Sequence, residues 1–288
     1  MTPCPHRMTT ALLVVAALLG GCATGLKIDT SHTAVGQDSR VQHLVLHFTA
    51  EDFPRSLKIL TQGAVSSHYL VSDRQGDNAP KIYRLVDESR RAYHAGVSSW
   101  KGASSLNASS IGIEIVNRGP RKGPNGVEFE DFDDEQIDLV IELCRQIIKE
   151  HAIRPDRVVG HSDIAPTRKN DPGPKFPWKR FADAGLMLWP DAALVAQKRP
   201  LYEQKLPEVK WFQERMQTHG FLVPQHGELD RATRDVIAAF QMKYRPARYD
   251  GEPDAETAAL VDALIVQAAK LVAQPARPAT SGAEAMRK

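Results

Sequence analysis

Cysteine is scarce in this chain, which has three in 288 residues, at positions 4, 22 and 144. Cys4 and Cys22 lie in an N-terminal stretch with the pattern of an export signal, so only Cys144 would remain inside the folded protein. One internal cysteine excludes a disulfide framework. Cys144 falls on the apolar side of a predicted helix, which indicates a core residue rather than a nucleophile.

An excess of charge of one sign is also absent. The 37 basic and 35 acidic residues leave a formal net charge of +2, and no basic stripe stands out. We therefore expect no nucleic-acid partner. Beyond the N-terminus no apolar run is long enough to span a bilayer.

Several catalytic motifs are missing as well. The sequence contains no His-Glu-x-x-His, no P-loop and no dinucleotide-binding glycine pattern. The stretch that begins Gly160-His161-Ser162 lacks the closing glycine of a nucleophile elbow. These absences exclude the commonest helical zinc-protease motif and the familiar nucleotide-binding and serine-hydrolase motifs.

The N-terminus predicts an exported lipoprotein. Arg7 precedes an apolar run over residues 11–19, and Leu19-Gly20-Gly21-Cys22 resembles a bacterial lipoprotein cleavage site. We predict a signal peptide at 1–21, a lipid on Cys22 that anchors the chain to a membrane, and a tether at 22–40. Ala23 is typical of outer-membrane sorting, so the expected location is the outer membrane, facing the periplasm. The alternative is an ordinary secretory signal with a chance cysteine, and the small residues before Cys22 favour the lipoprotein.

The middle of the chain predicts an α/β domain over residues 41–195. Apolar, β-branched stretches indicate strands at 41–49, 67–71, 81–86, 111–117 and 157–159. They alternate with a helix near Pro54 and another capped by Asp133, so we expect a mixed central β-sheet flanked by helices. The Gly/Pro-rich residues 118–130 are predicted to be an excursion from this sheet.

The C-terminal part predicts a small three-helix domain over residues 207–270. The apolar pattern weakens between Gln197 and Pro207, where we place the boundary. The first helix should end at Gly220, the second should span Asp230 to Tyr244, and the third should start near Asp254. Residues 271–288 are predicted to be a disordered tail.

Two histidines end predicted strands, and a stiff loop follows the second. If the strands are neighbours, His47 and His161 reach the same edge of the sheet, and Asp171 joins them from a loop restrained by Pro172-Gly173-Pro174. Two imidazoles, one carboxylate and an open position form a usual catalytic zinc site. Either histidine alone would more readily be a hydrogen-bonded structural residue, and the whole set favours Zn²⁺.

Two further residues complete this chemistry. Glu114 is an acid inside an apolar strand, where burial is costly, so it is a candidate general acid/base. A structural salt bridge is the alternative for Glu114. Lys169 would place positive charge beside a developing oxyanion, and a solvated loop lysine is the alternative for it.

Five stretches together resemble the zinc N-acetylmuramoyl-L-alanine amidases of the bacteriophage-lysozyme and peptidoglycan-recognition superfamily. They are Val45–Ala50, Val65–Tyr69, His94–Gly96, Ser110–Glu114 with Asn117–Gly119, and His161–Pro174. The resemblance covers about residues 41–190 and implies hydrolysis of the amide between the lactyl group of N-acetylmuramic acid and L-alanine of the stem peptide. It implies zinc on His47, His161 and Asp171, with Glu114 and Lys169 as catalytic residues. It also implies substrate-binding positions, which are Phe48, Thr49, His94 and Asn117.

The C-terminal helices resemble a peptidoglycan-binding domain, through Phe212-Gln213, Gly227–Asp230, Ala238–Gln241 and Asp250-Gly251. A bare three-helix spacer would show similar periodicity. The expected partners are peptidoglycan and its muropeptides, and the expected state is a monomer. Two other functions stay open: a peptidoglycan-binding lipoprotein without turnover, and a zinc peptidase that cuts within the stem peptide.

Overall fold

The computed structural model describes residues 26–124 and 126–273. The predicted signal peptide and the lipidation site at Cys22 lie outside the described residues. Residues 26–38 fall in the predicted tether and contain no helix or strand. No described helix combines the length and the apolar character that crossing a membrane requires.

The strands and helices of the described residues follow one another along residues 43–273. The strands are β1 His43–Phe48, β2 Tyr69–Val71, β3 Ile82–Arg84, β4 Ser99–Trp100, β5 Ala103–Ser104, β6 Ser110–Ile115, β7 Pro120–Gly123, β8 Gly126–Phe129 and β9 Val158–Gly160. The helices are α1 Phe53–Gln62, α2 Asp134–His151, α3 His161–Ile164, α4 Trp178–Asp183, α5 Ala192–Gln204, α6 Val209–His219, α7 Arg231–Tyr244 and α8 Ala255–Ala273.

A five-stranded mixed sheet forms the centre of the fold, in the order β3-β2-β6-β1-β9. Strands β2, β6, β1 and β9 run parallel, and β3 is antiparallel to β2. All six residues of β1 are buried, as expected for a parallel strand that is covered on both faces. The predicted mixed α/β sheet with flanking helices is confirmed.

Local sequence signals explain where the first two helices begin. The Asp52 carboxylate accepts a hydrogen bond from the Arg55 amide at 3.0 Å, and Pro54 lies in the first turn of α1. Asp133 caps α2 in the same way, through the Gln136 amide at 3.1 Å. The apolar side of α2, which includes Cys144, is buried. The sequence predicted both starts correctly.

The predicted excursion at 118–130 contains regular structure. Strands β7 and β8 pair as an antiparallel hairpin, in which Arg121 lies opposite Glu128. An ion pair of 3.0 Å between Arg121 and Glu130 adds to the pairing. Gly126 has a φ of +120°, which a glycine adopts without strain, so the Gly/Pro content marks the turn rather than an irregular loop.

Helix α5 crosses the region where the apolar pattern weakens. None of its residues is buried, and it contains Pro200, so periodicity gives no signal for it. Asp191 caps its start by accepting from the Leu194 amide at 2.8 Å. Its other support is tertiary, because Asp262 of α8 accepts hydrogen bonds from Lys198 at 2.8 Å and from Tyr202 at 2.7 Å.

The three predicted C-terminal helices are present as α6, α7 and α8. Helix α8 continues to Ala273, so residues 271–273 are helical and the prediction of a tail beginning at 271 is wrong for them. The rest of the predicted tail lies outside the described residues. One hydrophobic cluster contains residues of both the sheet and these helices, among them Leu44, Phe240 and Val261.

Candidate active site

The site lies at the carboxyl ends of the parallel strands, where α/β sheets usually bind ligands. In the register of β1 and β6, His47 lies directly beside Glu114. In the register of β1 and β9, Leu46 pairs with Gly160, so the next residue, His161, emerges beside His47. The sheet therefore brings together three side chains that are separated by up to 114 positions in sequence.

His47, His161 and Asp171 form a buried triangle. The Nδ1 atoms of the two histidines are 3.0 Å apart. The Asp171 Oδ2 atom lies 2.9 Å from Nδ1 of His47 and 3.1 Å from Nδ1 of His161. The three predicted ligands thus present one nitrogen or oxygen atom each to a common point.

Burial and neighbouring groups hold His47 and Asp171 in the protonation states that bind a metal ion. Burial, and after it the charge of His161, lowers the pKa of His47 to about 4, so its imidazole is neutral near pH 7. Burial alone would raise the pKa of Asp171. The close contacts with His161 and His47 outweigh it and hold that carboxyl pKa well below its usual range. The neutral imidazole of His47 and the ionised carboxylate of Asp171 are ligands that suit Zn²⁺.

Backbone contacts fix the loop that carries two of these residues. His161 is the first residue of the single-turn helix α3, and the Asp163 carboxylate accepts a hydrogen bond from the Gly160 amide at 2.7 Å. The Ser162 amide donates to the Asp171 carbonyl at 2.8 Å. A Cβ on Gly160 would lie 2.7 Å from Pro172 Cδ, so only glycine permits this close packing. The loop is held on both sides of Asp171.

Glu114 carries a carboxyl group that is shifted towards its neutral form. Burial, followed by repulsion from Asp171, raises its pKa well above the ordinary value, and Lys169 opposes this shift. Its Oε2 atom is buried and has no hydrogen-bond partner among the described residues. The salt-bridge alternative finds no support there, since no ion pair of Glu114 occurs in that part of the chain. A carboxyl group with a raised pKa suits proton transfer near neutral pH.

A cavity of about 390 Å³ opens onto these residues. Its wall includes most of the predicted site residues, namely Phe48, Thr49, His94, Glu114, His161, Lys169 and Asp171. Lys169 is exposed, and it makes no salt bridge within the described ranges. Lys169 therefore lines the cavity without an ion-pair partner in those ranges.

The four predicted substrate positions differ in their surroundings. Phe48 and Thr49 line the cavity. His94 also borders it, but both of its ring nitrogens contact other side chains. Asn117 does not line the cavity, because its amide nitrogen donates to the carbonyls of Glu130 at 3.3 Å and Asp131 at 3.2 Å. Asn117 thus holds the base of the β7–β8 hairpin rather than the groove.

Sequence reasoning missed Arg168, which also lines the cavity. Its guanidinium donates to the carbonyls of Ala95 at 2.9 Å and Val97 at 2.8 Å, which ties the loop after His94 to the loop before Asp171. The sequence feature that could have indicated Arg168 is its position next to Lys169, in the loop that leads to Asp171. Nothing in the local sequence showed that its partners would be backbone carbonyls more than 70 positions away.

Comparison with known proteins places this site in a family. The profile of the N-acetylmuramoyl-L-alanine amidases matches residues 37–174, and that of a peptidoglycan binding domain matches residues 205–261. The chain is 42% identical over 271 residues to the N-acetylmuramoyl-L-alanine amidase AmiD of Escherichia coli, and the match covers 88% of this chain and 96% of that protein. The chain belongs to the N-acetylmuramoyl-L-alanine amidase family. The amidase hydrolyses the amide bond between N-acetylmuramic acid and L-alanine of peptidoglycan stem peptides, as the resemblance implied.

Solved structures agree with this assignment. The amidase superimposes on the crystal structure of AmpDh3 from Pseudomonas aeruginosa in complex with anhydromuramic pentapeptide, with a TM-score of 0.79 and 40% identity over 85% of this chain and 99% of the other. It also matches Escherichia coli AmiD in complex with anhydro-N-acetylmuramic acid-L-Ala-D-gamma-Glu-L-Lys, with a TM-score of 0.75 and 42% identity over 84% of this chain and 95% of the other. The predicted fold, family and activity are confirmed.

Proposed function

We propose that the amidase depends on Zn²⁺ held by His47, His161 and Asp171. The observation that carries this proposal is the triangle of two Nδ1 atoms and one Oδ2 atom, all within 3.1 Å of one another. Three electron-pair donors repel one another at such distances unless a proton or a cation lies between them. Nitrogen and carboxylate oxygen are ligands that zinc prefers.

We further propose that Glu114 and Lys169 carry the proton and charge steps. Bound zinc would supply Lewis acidity towards the water and the amide carbonyl. Glu114 takes a proton from the attacking water as the new C–O bond forms. It then gives that proton to the departing amide nitrogen as the C–N bond breaks, which leaves a lactyl carboxyl group and the free amine of L-alanine. Lys169 places its positive charge at the cavity, where the oxyanion develops.

Muropeptides with an anhydromuramic end are the proposed substrate class. Both solved relatives were crystallised with peptides of this class, and this chain matches each along most of its length. Phe48 and Thr49 are proposed to contact the substrate, because they lie in the cavity wall directly after His47. His94 and Asn117 are not proposed as substrate contacts, because their polar atoms bind other parts of the protein.

The proposed setting is the outer membrane. A lipid on Cys22 after removal of residues 1–21 would anchor the chain, and residues 22–40 would let the amidase domain at 41–195 reach the wall. The helices over 207–270 would hold peptidoglycan, in line with the matching domain profile. Anchor and binding domain would together raise the effective concentration of the polymer around a monomeric enzyme.

The test of this function uses the chain from residue 23 to 288 with purified muropeptides, with and without a chelator. We expect free stem peptides that begin at L-alanine, detected by mass spectrometry, to disappear with chelator and return with zinc. His161→Ala should lose both zinc and activity, whereas Glu114→Ala should keep zinc and lose activity. Cleavage that persists in a protein shown to be metal-free would refute the zinc site, and wild-type activity in Glu114→Ala would remove that residue from the mechanism.

A further inference from the structure

A line of hydrogen bonds leads from the site into the fold through His94. Nε2 of His47 lies 3.0 Å from Nδ1 of His94. Nε2 of His94 lies 3.1 Å from Oγ of Ser110, and that hydroxyl lies 2.6 Å from the Leu106 carbonyl oxygen. All three polar side chains of this line are buried, so water does not compete for their hydrogen bonds.

The carbonyl at the end of the line determines the direction of every bond in it. A carbonyl oxygen only accepts, so the Ser110 hydroxyl donates its one hydrogen to Leu106. Ser110 Oγ must then accept from His94, which places the hydrogen of His94 on Nε2 and leaves Nδ1 with a lone pair. That lone pair accepts from Nε2–H of His47. His47 is thereby left with an unprotonated Nδ1, the atom that faces His161 and Asp171.

A second branch fixes the other histidine. Nε2 of His161 lies 3.2 Å from the Ala95 carbonyl oxygen and 3.4 Å from Nη2 of Arg168. Nη2 of Arg168 donates its two hydrogens to the carbonyls of Ala95 and Val97, so Nε2 of His161 donates to the Ala95 carbonyl and its Nδ1 is also unprotonated. The Asn107 side-chain oxygen accepts hydrogen bonds from the amides of His94 at 3.0 Å and Ala95 at 2.7 Å. Both branches thus end on adjacent residues, Leu106 and Asn107, in one 3-10 turn that spans Leu106–Ala108.

We propose that the Leu106–Asn107 turn, acting through His94, Ser110 and the Ala95 carbonyl, orients both histidine ligands so that each offers the lone pair of its Nδ1 atom to the metal. His94 and Ser110 are then positioning residues and not substrate contacts. This inference rests on the proposed zinc site. An imidazole in the other tautomer would point an N–H at the metal and could not bind it. Partners behind metal-binding histidines typically change metal affinity about 10- to 100-fold.

The variants separate the relay from general damage to the fold. Ser110→Ala removes the acceptor for His94 and lies beyond hydrogen-bond reach of the ligands. His94→Phe removes the acceptor for His47, whereas His94→Asn keeps an oxygen near the position of Nδ1. Ser67→Ala is the matched control, because Ser67 is a fully buried serine whose hydroxyl has no hydrogen-bond partner in the described ranges. Each variant is made in the chain 23–288.

Three measurements test the proposal. Competition with a chromogenic chelator gives the zinc dissociation constant, and we expect it to rise about 10- to 100-fold in Ser110→Ala and His94→Phe. His94→Asn should recover part of this loss, and Ser67→Ala should equal wild type. In zinc-free wild type, ¹⁵N NMR of the histidines should show the Nε2 atoms of His47 and His161 protonated, and Ser110→Ala should lower the Nε2 protonation of His47. With saturating zinc, KM should stay within about twofold of wild type.

The outcomes distinguish this inference from the proposed function. A wild-type chain that binds no zinc would refute the metal site, while the tautomers of the metal-free protein would still report on the relay. Unchanged zinc affinity in Ser110→Ala and His94→Phe, with circular dichroism as in wild type, would overturn the relay. A raised KM in His94→Phe with unchanged zinc affinity would return His94 to the substrate groove.

Discussion

At the scale of single residues, Glu114 combines two opposing requirements. Its carboxyl group lies beside the metal ligand His47 in the sheet, in surroundings that disfavour its charge. A glutamate in water would be too weak a base near neutral pH, and the raised pKa corrects this. The same burial makes the ionised form costly to the fold, so activity and stability compete at this position.

Glu114→Gln should therefore lower kcat about 10²- to 10⁴-fold while zinc stays bound. In the zinc-free protein the same change should raise the melting temperature near pH 7. Because the native pKa is raised, the folded state binds the proton more tightly than the unfolded state, and stability falls as pH rises above 4.5 towards the native pKa. Glutamine removes this loss, so the gain should vanish below pH 4.5.

Thermal unfolding at several pH values and kinetics at one pH check both parts of this prediction. The matched control is Glu142→Gln, which changes an exposed carboxylate of α2 and should leave kcat unaffected. A zinc-free Glu114→Gln protein that is less stable than wild type at pH 7 would contradict the assignment of a raised pKa.

Gly112 supplies the space that His94 occupies. A Cβ at Gly112 would lie 2.4 Å from Cγ of His94, within a buried region that cannot move far. Gly112→Ala should displace the ring, weaken zinc binding at least 10-fold and cost about 1–3 kcal/mol of stability. Chelator competition and urea unfolding measure the two effects. Gly36→Ala, where no atom lies within 4 Å of the added Cβ, should change neither quantity, and equal behaviour of the two variants would contradict the prediction.

The sequence predicted the residues of the triangle but not their support. His47 and His161 are visible because apolar strands end at them, and Glu114 because it interrupts such a strand. The role of His94 depends on which atoms its two nitrogens meet, and those atoms belong to His47 and Ser110 at distances of 47 and 16 positions. A local pattern carries no information on such meetings.

At the scale of elements, helix α7 contacts the sheet domain through the charged side chain of Lys243. Lys243 Nζ donates to the Asp163 carboxylate at 2.7 Å and to the Val158 carbonyl at 3.2 Å, and both charged side chains are buried. The Asp163 carboxylate also accepts a hydrogen bond from the amide of Gly160, the residue just before His161 at the start of α3. A C-terminal helix thus neutralises the carboxylate that holds the start of the metal loop.

Lys243→Ala should destabilise the protein by about 3–5 kcal/mol, because it leaves Asp163 as a buried charge without its partner. Urea unfolding followed by circular dichroism measures this difference. Lys179→Ala, which breaks an exposed pair with Asp183 on α4, is the control and should cost no more than about 1 kcal/mol. Similar losses of unfolding free energy in the two variants would show that the buried pair contributes no more to stability than the exposed pair.

Helices with a buried apolar side were predictable, and the helix without one was not. The buried side of α2 repeats at the helical period, so its extent follows from the sequence. Helix α5 buries no residue and includes Pro200, and its bonds to Asp262 join positions about 60 apart. Strands β7 and β8 also bury no residue, so no alternation of apolar residues distinguishes their pairing from a loop.

At the scale of the whole molecule, the sheet and the C-terminal helices share buried surface. The Trp100 ring packs against His219 and Phe221, with ring centroids 5.5 Å and 5.1 Å away. The Lys101 amide donates to the Gly220 carbonyl at 2.8 Å. The C-terminal helices are therefore part of the amidase core as well as a proposed peptidoglycan-binding domain.

A chain that ends at residue 204 should consequently be less stable than the full chain, and not merely weaker in binding peptidoglycan. It would expose Trp100 and leave Asp163 unpaired, so we expect a lower melting temperature and aggregation at concentrations where the full chain is monodisperse. Differential scanning fluorimetry and size-exclusion chromatography are the measurements. A truncated chain that melts at the temperature of the full chain would show that the shared surface is dispensable.

The position of Trp178 gives the molecule a built-in optical reporter. The ammonium of Lys243 lies 4.3 Å from the centre of its ring, and the same ring packs against Gly160, just before His161. The emission maximum of an indole depends on the charges around it. The fluorescence of Trp178 should therefore change when α7 packs against one side of its ring and when the metal loop becomes ordered on the other. Replacing the other tryptophans, at positions 100, 189 and 211, would leave a signal that follows assembly and metal loading in real time, without a label.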